Sequence, residues 1–121
     1  MSAADPITTS VAHQGRTAVV SIGGEVDLST APAFEAAITT ALEEQPPVLV
    51  IDLSDVTFMA SVGLRILVAT QDENRDAVRV AIVANSSATA RPIQMTGLDE
   101  IISLYPTLDE ALSATESTAR D

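Results

Sequence analysis

The chain has 121 residues, 46% of them hydrophobic, enough for one ordinary domain to bury a core without staples; a single domain over 1–121 with an ordered core of about 7–114 is expected. It contains no cysteine, no tryptophan and only three aromatic residues, which excludes disulfide frameworks and thiol chemistry and demands an aliphatic core. Seventeen acidic residues against six arginines and no lysine give a formal charge of −11, which opposes nucleic-acid backbones and anionic lipid, and no apolar run approaches the ~20 residues of a membrane span.

The opening MSAADPITTS has neither a basic n-region nor an apolar h-region, so the cytoplasm is the expected location. Ile7 to His13 is rich in β-formers, and Gln14-Gly15 turns it into a second strand, Thr17 to Ile22, as a hairpin. Gly23 and Gly24 then break the strand. Ser29 or Thr30 caps a helix with Pro32 in its first turn, and Phe34, Ala37, Ile38, Ala41 and Leu42 fall on one core-facing stripe.

Pro46 and Pro47 end that helix, and the unbroken apolar run Val48 to Leu53 reads as the central strand of a sheet covered on both faces. A short polar loop follows, with Ser54 and Asp55 as turn-formers, before Ser61 opens an apolar helix. Val78 to Val83 is a further strand. Ser86, Ser87 or Thr89 caps a short helix that tolerates Pro92 early and stops at Gly97. Ile101 to Leu104 is a final strand, Thr107 and Glu110 form a capping box for a helix over Leu108 to Ala114, and Thr115 to Asp121 is expected to fray. Strands alternating with helices imply right-handed βαβ units, hence an α/β fold with a mixed sheet of four to five strands, an N-terminal hairpin and helices mainly on one face. No internal repeat or low-complexity segment interrupts it.

Ser61 carries the most functional interest. It places a small hydroxyl at a helix N-terminus, where unpaired N–H groups and the helix dipole favour negative charge, so it fits a phosphate-bearing switch. Serine is also a preferred N-cap that does no more than satisfy a backbone N–H, and the residues alone leave both readings open. At 100° per residue Val62, Ile66 and Ala69 share one face of this helix, while Leu64, Leu67 and Val68 cover much of the other; the second stripe is either exposed for docking or packed on neighbouring helices. Gly63 is expected to keep the first turn uncrowded around the hydroxyl.

Taken together, GEVDLSTAP at Gly24 to Pro32, VLVIDLSDVTFMASVGLRIL at Val48 to Leu67 and TGLDEIISLYPTLDEAL at Thr96 to Leu112 resemble a STAS domain, and within it the anti-sigma factor antagonists. The resemblance spans Ile7 to Leu112. It implies a protein that, unphosphorylated, binds an anti-sigma factor, often a serine kinase of the GHKL ATPase type, and so frees a sigma factor. It also implies Ser61 as the phosphoacceptor, since the family's Asp-Ser-Ser/Thr-Gly-Leu run aligns with Ala60, Ser61, Val62, Gly63 and Leu64. Ala60 and Val62 depart from that pattern; the missing carboxylate alters how a kinase meets the hydroxyl and removes a like charge beside a phosphate.

The partner-binding set expected from this reading is Glu25, Asp27, Ala60, Ser61, Val62, Gly63, Leu64, Arg65 and Val68. Glu25 and Asp27 come to the Ser61 loop if both lie at strand C-termini, where they either contact a basic partner or are simply solvated. Arg65 pairs with an acidic partner or with a carboxylate of its own chain. No cofactor, metal or catalytic residue is expected. Asp52 and Asp55 are too few oxygen ligands, His13 stands alone beside the hairpin turn, and no base accompanies Ser61. Monomer and weak dimer both remain open. The competing readings are a phosphorylation-independent STAS scaffold, which Ala60 and Val62 favour, and an anion- or nucleotide-binding module, which the lack of a Gly-rich phosphate loop and of any lysine opposes.

Overall fold

The computed structural model describes residues 6–120. Its strands are β1 (Ile7–Gln14), β2 (Thr17–Val26), β3 (Val48–Met59), β4 (Arg79–Val83) and β5 (Ser103–Tyr105). Its helices are α1 (Ala31–Leu42), α2 (Ser61–Asn74), α3 (Ala90–Met95) and α4 (Leu108–Arg120), with a 3-10 turn at Leu98–Glu100. The strands form one five-stranded sheet in the order β1-β2-β3-β4-β5. β1 and β2 are antiparallel; the remaining pairs are parallel. The expected mixed α/β sheet with its edge hairpin is thus present, and Gln14 opposite Thr17 leaves a two-residue loop in which Gly15 adopts φ +63°.

Strand alternation divides the core between the two faces of the sheet. Ala18, Val20 and Ile22, Leu49, Ile51 and Leu53, and Val80 and Ile82 meet α1, α2 and α3, where Phe34, Ile38, Ile66, Leu67 and Ile93 close the main core. Val19, Val48, Val50, Ala81 and Val83 face the other way and are covered by Ala111, Leu112 and Ala119 of α4. β3 has neighbours on both edges and helices on both faces, which explains its unbroken apolar run. The α1 stripe is buried as expected, with Leu42 only partly covered. Thr30 is the residue before α1, yet its hydroxyl does not cap the helix; it donates to Glu25 O (2.8 Å) and accepts from Asp27 N–H (2.9 Å).

Several boundaries differ from the expected ones. Gly23 and Gly24 do not end β2, which continues to Val26 with register shifts against β3 between Ser21 and Gly23 and between Gly24 and Glu25. A Cβ on Gly24, at φ +91°, would lie 2.1 Å from Pro6 O, so the glycines let the strand kink while staying paired. The polar loop expected after Leu53 is also strand, since β3 runs on to Met59. Ser54 N–H and Oγ both donate to Asp52 Oδ1 (2.9 and 2.6 Å), so the turn chemistry of Ser54 and Asp55 builds an irregularity within the strand rather than an end to it. Residues 98–100 coil as a 3-10 turn, Ile102 enters the core, and the last strand begins only at Ser103.

The segment expected to fray from Thr115 is helical as far as Arg120; Asp121 lies outside the described residues. Burial accounts for this. Thr115 is fully buried and its hydroxyl donates to Ala111 O (2.8 Å), while Arg79 reaches across from β4 to donate through Nη1 to Ala114 O (3.2 Å) and Thr118 Oγ1 (3.3 Å). At the helix start Thr107 Oγ1 accepts from Glu110 N–H (3.1 Å), half of the expected capping box.

Candidate functional site at the start of α2

Parallel strands deliver their C-terminal ends to one edge of the sheet, and β2 and β3 end there side by side with Glu25 opposite Phe58 and Val26 opposite Met59. Ala60 N–H donates to Val26 O (2.8 Å), pinning the β3–α2 junction to the end of β2, and α2 begins at the next residue. Glu25 and Asp27 therefore do lie at the edge from which Ser61 emerges. Glu25 is exposed. Asp27 organises its own loop, its Oδ1 accepting from Ser29 Oγ (2.6 Å), Ser29 N–H (2.9 Å) and Thr30 N–H (3.2 Å). The Ser29 hydroxyl, aided by the Thr30 and Ser29 N–H groups, holds the Asp27 carboxyl below its ordinary range.

Ala60, with φ −79° and ψ 170°, is the N-cap residue and offers no side-chain cap, so Ser61 occupies the first helical position instead of the cap. Its side chain is exposed, and among the described residues it makes no hydrogen bond. The capping role open to serine at this point is not what Ser61 does. Gly63 differs from expectation too. It is buried, and a Cβ there would lie 2.8 Å from Met59 Cγ and 3.0 Å from Val26 Cγ1. Its lack of a side chain lets α2 press onto the ends of β2 and β3; it faces away from the hydroxyl's surroundings.

That close approach sets how α2 is rotated. Gly63, Ile66, Leu67 and Thr70 point inward, Thr70 satisfying its buried hydroxyl on Ile66 O (2.8 Å), while Val62, Leu64 and Val68 are half-buried and Ala69 is exposed. The expected split, with Val62, Ile66 and Ala69 against Leu64, Leu67 and Val68, is therefore corrected: each set has members inside and outside. Leu64 and Val68 form one wall of a groove of about 320 Å³, and Thr96, Gly97, Leu98 and Ile101 form the other, with Ser61 and Arg65 also lining it. The groove is predominantly apolar, and Ile101 stands 53% exposed on it. Arg65 is exposed, one helical turn beyond Ser61, with no carboxylate partner among the described residues. Phe58 (51% exposed) and Leu28 (79% exposed) belong to the same strand ends and the loop following them.

The Thr96–Ile101 wall was missed in the sequence because it lies some thirty residues from Ser61; the only available signal was its membership of the third motif. A hollow of about 390 Å³ lies elsewhere, lined by Pro47, Gln71, Arg75 and Arg79 near the N-terminal ends of β3 and β4, but Arg79 there is engaged in holding α4. Among the described residues no cluster of His, Asp and Glu is arranged to hold a metal, and no helix is long and apolar enough to cross a membrane. His13 is exposed on β1, remote in sequence and topology from Ser61. The Ser61 patch thus offers an unengaged hydroxyl, a free guanidinium and an apolar groove, which together suit recognition of another surface.

The profile of the STAS domain family matches residues 8–111. The anti-sigma-F factor antagonist RsfB of Mycobacterium tuberculosis is 50% identical over 113 residues, covering 93% of this chain and 93% of RsfB. The crystal structure of an anti-sigma factor antagonist from Mycobacterium paratuberculosis superposes with a TM-score of 0.88 at 50% identity over the whole of both chains. The unphosphorylated form of the anti-sigma factor antagonist SpoIIAA shares the fold at 20% identity, with a TM-score of 0.74 over 91% of this chain and 97% of its own.

Proposed function

The chain belongs to the STAS domain family, and on that footing we propose that it is an anti-sigma factor antagonist that docks through the Ser61 patch and lets go when Ser61 is phosphorylated. The observation that carries this reading is the position of Ser61: exposed, free of hydrogen bonds within the described residues, and on the rim of the apolar groove between α2 and the 3-10 turn. A partner seated in that groove covers the hydroxyl. Adding a phosphate then brings about −1.5 to −2 charges into the covered surface, and desolvating them without a matched cation costs several kcal/mol, enough to weaken binding by a few powers of ten. Release needs no refolding of the antagonist.

The kinase is the partner itself, an anti-sigma factor of the GHKL serine-kinase type, and the exchange takes place in the cytoplasm. Glu25 and Asp27 supply negative charge beside the patch for a basic partner surface, and Leu64 and Val68 supply apolar contact. With no hydrogen bond to a base among the described residues, Ser61 acts as the substrate of the transfer, and the chain itself is not an enzyme.

The test is to incubate the protein with its anti-sigma factor and ATP, map modified residues by mass spectrometry, and measure binding of wild type, Ser61→Ala and Ser61→Glu by calorimetry. Modification at Ser61 is expected, with Ser61→Ala binding within a few-fold of wild type and Ser61→Glu weaker by at least about 10-fold, a difference of ~1.4 kcal/mol. Equal binding by all three proteins with Ser61 unmodified refutes the switch and leaves a scaffold that docks without phosphorylation.

A further inference from the structure

β1 lies at one end of the sheet, and among the described residues no strand pairs with its outer side. An open edge of eight residues is a template for another strand, and sheets ordinarily blunt such edges with charge, proline, a bulge or very short length. The opposite edge strand, β5, is only three residues long. β1 uses none of these devices: ITTSVAHQ carries no Asp, Glu, Lys, Arg or Pro, and its register against β2 is uninterrupted from Ile7 to Gln14. The charge distribution is equally uneven. In a chain of net charge −11, none of the seventeen acidic residues falls between Ile7 and Gly24. This stretch of the hairpin therefore brings no acidic side chain of its own to a second equally acidic copy, the carboxylates beside it coming from other elements, Asp55 beside Gly23 and Thr8 and Glu116 beside Gln14 and Thr17.

The hairpin geometry fixes which groups are open. A two-residue loop is closed by a pair that exchanges both hydrogen bonds, here Gln14 and Thr17, so the even-numbered residues of β1 face β2 through their backbone. Pro6 O accepting from Glu25 N–H (2.8 Å) fits that phase. The N–H and C=O groups of Ile7, Thr9, Val11 and His13 are left on the free edge. We propose that this edge pairs antiparallel with β1 of a second copy of the chain about a two-fold axis at Ser10, joining two five-stranded sheets into one continuous sheet. Ile7 then pairs with His13 of the second copy and Thr9 with its Val11, so all eight edge residues exchange both hydrogen bonds and no like charges meet.

The contact is confined to one eight-residue strand edge per copy, so the dimer is expected to be reversible, with a population that rises with concentration. Because paired strands run in opposite directions, the two Ser61 edges point away from one another, and both remain open to a partner.

Sedimentation velocity from micromolar to about 1 mM protein reads the association directly. Wild type is expected to shift from monomer toward dimer over that range. Ser10 is exposed and lies on the proposed axis, so Ser10→Lys and Ser10→Glu each set two like charges face to face and are expected to weaken association at least tenfold. An equimolar mixture of the two variants is expected to recover it, because the charges then oppose, and thermal melting of each variant checks that β1 remains folded. Wild type that stays monomeric throughout, variants that associate as well as wild type, or a mixture no better than its components each overturn the proposal.

Discussion

Substituting Gly63 by alanine has a sign that the packing decides. In a solvent-facing helix position Gly→Ala stabilises by up to about 1 kcal/mol through the unfolded chain and helix propensity. At Gly63 the new methyl would sit 2.8 Å from Met59 Cγ, 3.0 Å from Val26 Cγ1 and 3.2 Å from Met59 Sδ. Met59 and Val26 are both buried, so neither has open space to retreat into, and overpacking of this kind costs about 1–3 kcal/mol. The overpacking exceeds the propensity gain, and Gly63→Ala is expected to be about 1 kcal/mol less stable than wild type. Gly63→Val, which adds two more methyls at the same contact, is expected to lose ~3 kcal/mol. Urea denaturation followed by circular dichroism measures both, with an unchanged slope confirming that the native state alone is affected. Because α2 must lift from Val26 and Met59 to admit the side chain, anti-sigma factor binding should weaken alongside stability. An alanine variant more stable than wild type would show that the first turn of α2 is loosely seated and that the account of Gly63 as a packing residue is wrong.

Two further substitutions probe the loop beside the site and, at the opposite end of the sheet, the anchor of α4. Asp27 has a lowered pKa, so whatever stability its ionised form contributes is present above the ordinary carboxylate value of 3.8 and lost as pH falls through the still lower folded midpoint. Removing the largest contributor by Ser29→Ala should move the Asp27 midpoint up toward 3.8 in an NMR titration, and an unmoved midpoint would deny that the Ser29 hydroxyl sets it. Arg79→Met keeps the aliphatic stem but removes the donors to Ala114 O, Thr118 Oγ1 and Tyr105 Oη; three long hydrogen bonds at the low end of their usual worth amount to ~1–2 kcal/mol. Amide exchange beyond Ala114 should accelerate while affinity for the anti-sigma factor stays unchanged, and protected amides there would refute the anchoring role.

The alternation of strands and helices was legible because each core element has one clear period: the unbroken Val48–Leu53 run and the Phe34–Ala41 stripe. Gly97 at φ +78° just past α3 was legible for a similar reason, as a left-handed position suits glycine. Misread boundaries share a physical cause. Gly23-Gly24 and Ser54-Asp55 carry the chemistry of turns, and a strand irregularity uses the same chemistry, since both need a backbone that leaves the pleat for one or two residues. Local sequence cannot say whether the chain then reverses or rejoins its neighbour. α2 presented the opposite difficulty: apolar nearly all round, it has no phase of its own, and the contact of Gly63 with Met59 and Val26 sets its rotation. A buried threonine at position 70, satisfied within its own helix, gave no outward sign of lying inside. The tail of α4 stayed helical because long-range contacts through Arg79 hold residues whose own propensity is modest.

The same tertiary constraints explain why Ser61 suits the switching role proposed for it. A phosphate can bias binding only by as much as its interactions differ between free and bound states, and a mobile site would blunt that difference by moving the charge out of the contact. Here the residue before Ser61 is tied to β2 through Ala60 N–H and Val26 O, and the residue two beyond it is wedged against Met59 and Val26. The hydroxyl is thus held between two fixed points while remaining open to solvent. In the free protein a phosphate placed there meets the uncapped first turn of α2, whose N–H groups and dipole favour negative charge, so the modified state is comfortable alone and costly only when covered. Ala60 strengthens that asymmetry, because an aspartate in its place would occupy those same N–H groups and set a second negative charge beside the phosphate.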